Sequence, residues 1–213
     1  MPDYRQLLWD GRRWLGTAVL LFVVGILLGY IAAAAEPEMV TERIRPLLGL
    51  LQSMGDRLAE TSSPVERTSI IFRNNGLAVL RMMVMGILPF PVFGFWPAVG
   101  SFGNGAILGI ILGLGTRLTP LAASPGLFLL ATVPHGIIEL PAVWIGAAWG
   151  MKFGLAWLMP GAAGQRLKVL WQNAVESAQM FVLASVLLIV AAAIEANITL
   201  ALVQSARTTL GIL

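Results

Sequence analysis

The stretch WLGTAVLLFVVGILLGYIAAAA occupies residues 14–35 and contains no charged side chain. As an α-helix it would cross a hydrocarbon core roughly 30 Å thick. It is longer than the apolar region of a signal peptide, which spans about 7–15 residues. We therefore interpret it as a retained transmembrane helix, and cleavage within the alanine run 32–35 is the alternative.

The rest of the chain shares this apolar character. Of its 213 residues, 57% are hydrophobic and only 12% are charged, whereas a soluble domain has about 25% charged residues. We therefore expect an integral membrane protein whose solvent is the lipid bilayer. The absence of Cys excludes disulfides and thiolate chemistry. A net charge of +3 without a basic run gives no support for a nucleic-acid partner.

Four further segments extend the prediction to an all-α, polytopic transmembrane helix bundle of about five spans. Ser63 followed by Pro64 and a glutamate predicts a capped helix start, from which the second span runs towards Leu88. Internal prolines predict kinked or broken helices. We treat 1–213 as a single membrane domain, with the other spans at about 99–115, 126–150 and 178–203.

Two segments are amphipathic. In 39–60 apolar residues recur every three or four positions between charged residues, which predicts a helix on the membrane surface or against a partner. Pro46 and two glycines argue against a long, straight helix there. Residues 160–176 combine a Pro-Gly turn with an amphipathic lead-in. The arginines before the first span favour a cytoplasmic N-terminus, which makes 160–176 cytoplasmic and 39–60 extracytoplasmic.

Glycine stripes predict how the spans pack. Gly105, Gly109 and Gly113 share one face of the third span, and Gly146 and Gly150 share one face of the fourth. In lipid, small residues allow two helix backbones to approach closely. We expect close helix–helix contacts along both stripes. A homo-oligomer is an open alternative to a single chain.

The strongest candidate polar site lies in the fourth span. His135 and Glu139 are four residues apart and therefore share a helix face. Ionisable side chains at membrane depth must face protein or water, and they are functional candidates. We expect their partners to come from Arg81, Asn75 and Asn104. A proton or cation site and a buried structural pair are the two interpretations.

The sequence predicts no catalytic, cofactor or metal site, and hence no enzyme. Zinc proteases of the His-Glu-x-x-His type need two histidines on one helix, and this chain has one. The aspartates Asp3, Asp10 and Asp56 are all far along the chain from His135, so a Ser/His/Asp triad has no support. The glycine-rich loops that bind nucleotide phosphates are also absent.

Three motifs, in order, resemble the stage II sporulation protein M family of membrane proteins. They are Phe72-x-x-Asn75, Asn104-Gly105-x-x-x-Gly109 and His135-Gly136-x-x-Glu139-Leu140, followed by glycines to Gly154. The resemblance implies a membrane anchor in forespore engulfment that recruits the peptidoglycan-degrading stage II sporulation proteins D and P.

The first hypothesis for function is therefore a non-enzymatic scaffold at the cell membrane, with residues 39–60 as the docking surface. The same segment could instead lie on lipid or pack within a dimer. The alternative function is a transporter- or channel-like protein that uses His135 and Glu139, because broken helices at membrane depth are where transporters bind ions.

Overall fold

The chain folds as a bundle of α-helices. The computed structural model describes residues 2–86, 94–115, 125–158 and 164–199, with 201, 202 and 205. Within these ranges there is no β-strand, which confirms the all-α prediction. A 3₁₀ turn, Ala156–Leu158, and a π-helical turn, Glu195–Thr199, follow the last two helices. The helices are α1 Tyr4–Asp10, α2 Arg12–Ala35, α3 Pro37–Glu60, α4 Pro64–Met85, α5 Trp96–Leu114, α6 Pro125–Leu155 and α7 Arg166–Ile194.

Three of these helices are long and apolar enough to cross a membrane, within the part of the chain that the structure describes. They are α2, α5, and α7 together with its π-helical turn. The predicted second and fourth spans form as α4 and α6, and both carry polar residues: three arginines, one glutamate and two asparagines in α4, and His135, Glu139 and Lys152 in α6. The chain is thus a helical membrane protein, and the count of five spans stays a prediction.

The prediction of proline-broken helices is wrong for α6. The helix continues without interruption through Pro134 and Pro141. A proline removes one backbone N–H and displaces one carbonyl, while the turns on either side keep their hydrogen bonds. Packing of the following residues holds the helix together, because Ala142 and every residue from Ile145 to Gly150 is buried.

Two amphipathic segments also differ from expectation. Pro46 lies inside α3, which nevertheless runs for 24 residues, so proline does not shorten it. The predicted lead-in before the fifth span is the beginning of α7 itself, which starts at Arg166 and continues unbroken into the apolar part. Residues 160–163 of the predicted turn lie outside the described residues.

The predicted start of α4 is confirmed, since the Ser63 hydroxyl accepts a hydrogen bond from the Glu66 N–H at 3.4 Å.

Helices α2 and α5 touch backbone to backbone through glycines. A Cβ atom added at Gly105 would fall on the carbonyl oxygen of Phe22, and one added at Gly109 would fall on that of Ile26. At Gly113 an added Cβ would lie 2.8 Å from the Ala33 Cβ. Side chains larger than glycine are therefore excluded at all three positions unless the helices separate.

A buried hydrogen bond reinforces the same interface. The hydroxyl of Ser101 on α5 donates to the Ala18 carbonyl on α2 at 2.8 Å, and both residues are fully buried. The Ala18 carbonyl lies inside helix α2 and can accept a second hydrogen bond. The buried serine hydroxyl therefore gains a partner without breaking the helix.

Helix α6 lies at the centre of the bundle, where it packs against α2, α4, α5 and α7. Its second glycine stripe faces α4: an added Cβ at Gly146 would lie 2.8 Å from Val79 Cγ1, and one at Gly150 would lie 2.7 Å from the Met82 carbonyl oxygen. Trp149, 1% exposed, belongs to the hydrophobic core of the bundle, and its ring lies against Gly11. The two contacts of the stripe thus fix the position of α4 along the axis of α6, next to the segment that carries His135 and Glu139.

Substitution Gly109→Leu should destabilise the protein, because a side chain there overlaps the α2 backbone. Overpacking costs about 1–3 kcal/mol or more, and we expect a lower thermal midpoint in detergent. Gly103→Leu is the matched control, since an added Cβ at Gly103 on the same helix meets nothing within 4 Å. Equal midpoints for the two variants would contradict the packing described.

Candidate functional site: a polar cluster on three helices

The two ionisable residues of α6 share the helix face that turns into the bundle. His135 and Glu139 are one turn apart, and both are half-buried. Ile137 lies between them on the opposite side and is 68% exposed. The alternation follows from the helix period, which places residues i and i+4 on one face and i+2 on the other. Apolar Ile137 therefore faces outward and the two polar side chains face their neighbours.

Helix α4 supplies the first neighbour. The Asn75 side-chain amide donates from Nδ2 to Glu139 Oε1 at 3.0 Å. Asn75 also accepts, through Oδ1, a hydrogen bond from the Asn74 amide at 3.2 Å. Val79, one turn further along α4, is fully buried against the glycine stripe of α6. The packing of Val79 therefore sets the position from which Asn75 reaches Glu139.

Helix α7 supplies a second carboxylate. Glu195 begins the π-helical turn Glu195–Thr199. Potential ligand atoms of Glu195, Glu139 and His135 all lie within 4.8 Å of one another. Ala192 and Ala196, which flank Glu195, are buried against Ile71 of α4. These two small contacts hold the π-helical turn against α4 and bring the carboxylate of Glu195 towards α6.

We call Asn75, His135, Glu139 and Glu195 the polar cluster. Its two carboxylates have no basic side chain paired with them in the described part of the chain. Two carboxylates lie close together in a partly buried setting, where like charges repel strongly. The ion pair between Lys152 and Glu176 is the one salt bridge formed within the described ranges, so neither Glu139 nor Glu195 is paired with a cation there. Nδ1 of His135 is buried and has no hydrogen-bond partner among the described residues. Such groups need a proton or a cation to balance them.

Two of the predicted partners do not join the cluster. Arg81 is exposed on α4, and Asn104 is exposed on α5 with its amide donating to the Gly100 carbonyl of its own helix at 2.8 Å. Arg81 follows Asn75 by six positions, which the helix period places on a different face. Asn75 is thus the one predicted partner that the structure brings to Glu139.

Glu195 is the residue that reasoning from the sequence missed. Its signal was present, because a carboxylate inside an otherwise apolar span is itself a functional candidate. Its sequence distance from His135 concealed the contact, since helix periodicity relates only residues within one helix. The cluster can bind a cation, hold a shared proton, or tie α4, α6 and α7 together.

The hydrogen bond from Asn75 should contribute to stability more than the charge on Glu139 does. Asn75→Leu leaves Glu139 without its donor, and we expect a loss of about 1–2 kcal/mol. Glu139→Gln keeps an acceptor oxygen for Asn75 and removes one of two neighbouring negative charges, so its thermal midpoint should equal or exceed that of the wild type. Asn104→Ala is the control and should change little. A lower thermal midpoint for Glu139→Gln, together with an unchanged midpoint for Asn75→Leu, would contradict this ranking of the two contributions.

Comparison with known proteins identifies the family. Residues 18–200 match the family model described as Stage II sporulation protein M. This region begins in α2 and ends just after the π-helical turn, so it contains the glycine interfaces and all four residues of the polar cluster. Searches of curated proteins and of solved structures returned no match. The chain belongs to the stage II sporulation protein M family of membrane proteins.

Proposed function

We propose that this chain is a non-enzymatic membrane scaffold that recruits peptidoglycan-remodelling hydrolases. Family membership supports a role at the membrane of sporulating cells or their relatives. The observation that carries the proposal is the exposed apolar surface of α3, together with the groove that it forms with α4.

Helix α3 is loosely attached to the rest of the bundle. Of its 24 residues, Val40 alone is buried, in a small contact with Ala33 and Leu114. Leu50 is 67% exposed and Leu51 is 48% exposed. A helix that presents apolar residues outward beside charged ones has a face suited to a partner or to the interface of the membrane.

A groove of about 690 Å³ runs between α3 and α4. Its walls are mostly apolar, and the charged residues that line it are Arg57, Arg73 and Glu66. An amphipathic partner helix binds such a groove by inserting apolar residues spaced three or four apart, and the arginines would favour acidic residues beside them. The lining includes Leu47, Leu51, Met54, Ile70, Arg73 and Leu77.

The proposed partners are hydrolases of the type of the stage II sporulation proteins D and P, as the family resemblance implies. Lipid and a second copy of this chain are the competing occupants of the same face. Binding of a partner in the groove should depend on Leu51, which lines it. It should not depend on the neighbouring Gln52, which is exposed and does not line the groove. Binding and membrane insertion are therefore separable measurements.

The alternative function, a transporter- or channel-like protein, has one specific observation in its favour. Glu195 adds a second intramembrane carboxylate to His135 and Glu139, as proton and cation pathways require. Transport would need a water-filled path to this cluster. Uptake or release of protons by proteoliposomes that contain the chain, compared with those containing Glu139→Gln, tests this function separately from recruitment.

Leu51→Glu should reduce capture of a co-expressed hydrolase at least about tenfold, as expected for a residue at the centre of an interface. Affinity capture from detergent-solubilised membranes, quantified against the amount of this chain, gives the measurement. Gln52→Glu adds the same charge one position away and should leave capture unchanged. Equal capture by Leu51→Glu and wild type, with both inserted in the membrane, would refute docking in this groove.

A further inference from the structure

We propose that His135, Glu139 and Glu195 form a binding site for a divalent transition-metal ion, which joins α6 to the π-helical turn of α7. The donor atoms of these three side chains lie within 4.8 Å of one another. The inference does not depend on recruitment of hydrolases, because the groove beside α3 shares no residue with the cluster.

The donor set has the chemistry of a metal site. A neutral imidazole and two carboxylates offer one nitrogen and at least two oxygens to an ion. Imidazole suits Fe²⁺ and Zn²⁺, whereas carboxylates suit Mn²⁺ and Mg²⁺, so this mixed set favours a divalent ion of intermediate character. From the sequence alone the ligand count was too low, since the Glu195 carboxylate comes from a helix distant in the chain.

The distances between the donor atoms are close to those found around a bound metal ion. Ligand atoms about 2.0–2.2 Å from a common metal lie roughly 3–4 Å apart. Atoms within 4.8 Å of one another therefore reach that separation through side-chain rotation. His135 and Glu139 lie one turn apart on the continuous helix α6, so their backbone spacing is set before any ion binds.

The charge of the cluster calls for a cation. No Lys or Arg within the described ranges is paired with Glu139 or Glu195. Two neighbouring carboxylates in a partly buried site repel each other, and an ion that binds both removes that repulsion. The buried Nδ1 of His135, which has no hydrogen-bond partner in the described part of the chain, shows that the imidazole also has unsatisfied bonding capacity.

The backbone conformation at Glu195 also supports a binding site here. Glu195 opens a π-helical turn, and such turns are rare and frequently lie at functional sites. Glu195 stands where the regular helix α7 ends and this turn begins, between Ala192 and Ala196, which are buried against α4.

Asn75 acts as a positioning residue in this site. Its amide donates to Glu139 Oε1 at 3.0 Å, which fixes one oxygen and leaves the other carboxylate oxygen of Glu139 for the ion. Hydrogen bonds of this kind to a metal-ligating carboxylate typically change affinity 10- to 100-fold. The site thereby couples α4 to the ion without direct ligation.

Binding of Mn²⁺ to the full-length chain in detergent or nanodiscs, after removal of metals with a chelator, provides the test. Electron paramagnetic resonance of free Mn²⁺ measures the amount bound, and thermal unfolding measures stabilisation. We expect one Mn²⁺ per chain, a raised thermal midpoint, and competition by Zn²⁺.

Glu195→Gln should weaken Mn²⁺ binding at least about 100-fold, because one of three ligands loses its charge. Asn75→Leu should weaken it about 10-fold. Glu42→Gln removes the same charge from an exposed position on α3 and should bind as the wild type does. Since Glu195→Gln is nearly isosteric and relieves repulsion, its metal-free form should remain folded by circular dichroism.

If Glu195→Gln fails to fold, His135→Gln provides the same test from the other helix. Loss of Mn²⁺ binding in either folded variant, with binding kept in Glu42→Gln, supports the site. Absence of Mn²⁺ and Zn²⁺ binding by the wild type would overturn the proposal and leave a proton-sharing carboxylate pair. Equal binding by the wild type and both cluster variants would also overturn it.

Discussion

Contact between helix backbones at glycines is the constraint on which the rest of this structure depends. Lipid gives little hydrophobic drive for helix association, so close packing must supply it. Gly105 and Gly109 bring α5 onto the carbonyls of α2, and Gly146 and Gly150 bring α6 onto α4. At Gly105 and Gly109 a larger side chain would meet only the backbone of α2, whereas at Gly146 it would meet the buried side chain of Val79 and at Gly150 the Met82 carbonyl and the Pro97 ring.

The polar cluster is a consequence of that packing. Once Gly146 seats α6 against Val79, Asn75 lies one turn away at the level of Glu139. The small residues around Glu195 then let α7 approach the same level. The bundle therefore stabilises an arrangement that it would otherwise disfavour, in which two carboxylates and an imidazole share a partly buried space without a salt bridge in the described ranges. Such unfavourable arrangements are typical of functional sites.

Much of the fold was predictable because it follows from periodicity within single helices. The apolar run 14–35, the cap at Ser63 and the shared face of His135 and Glu139 are all short-range patterns. Proline was misleading in both α3 and α6. In α6 the packing of the residues after Pro141 outweighs the lost hydrogen bonds, whereas α3 continues through Pro46 although Val40 is its one buried residue. Glu195 was missed for the opposite reason: its contact is between helices, and no spacing in one sequence encodes it.

The convergence of α6 and α7 at the polar cluster can be measured directly, because the sequence contains no cysteine. Cysteines introduced at Glu139 and Glu195 can be joined in native membranes with a short bifunctional thiol reagent. We expect efficient cross-linking within one chain for this pair, and little for position 139 with position 197, because the Asn197 side chain is exposed. Equal cross-linking of both pairs, or a preference for position 197, would contradict the arrangement of the site.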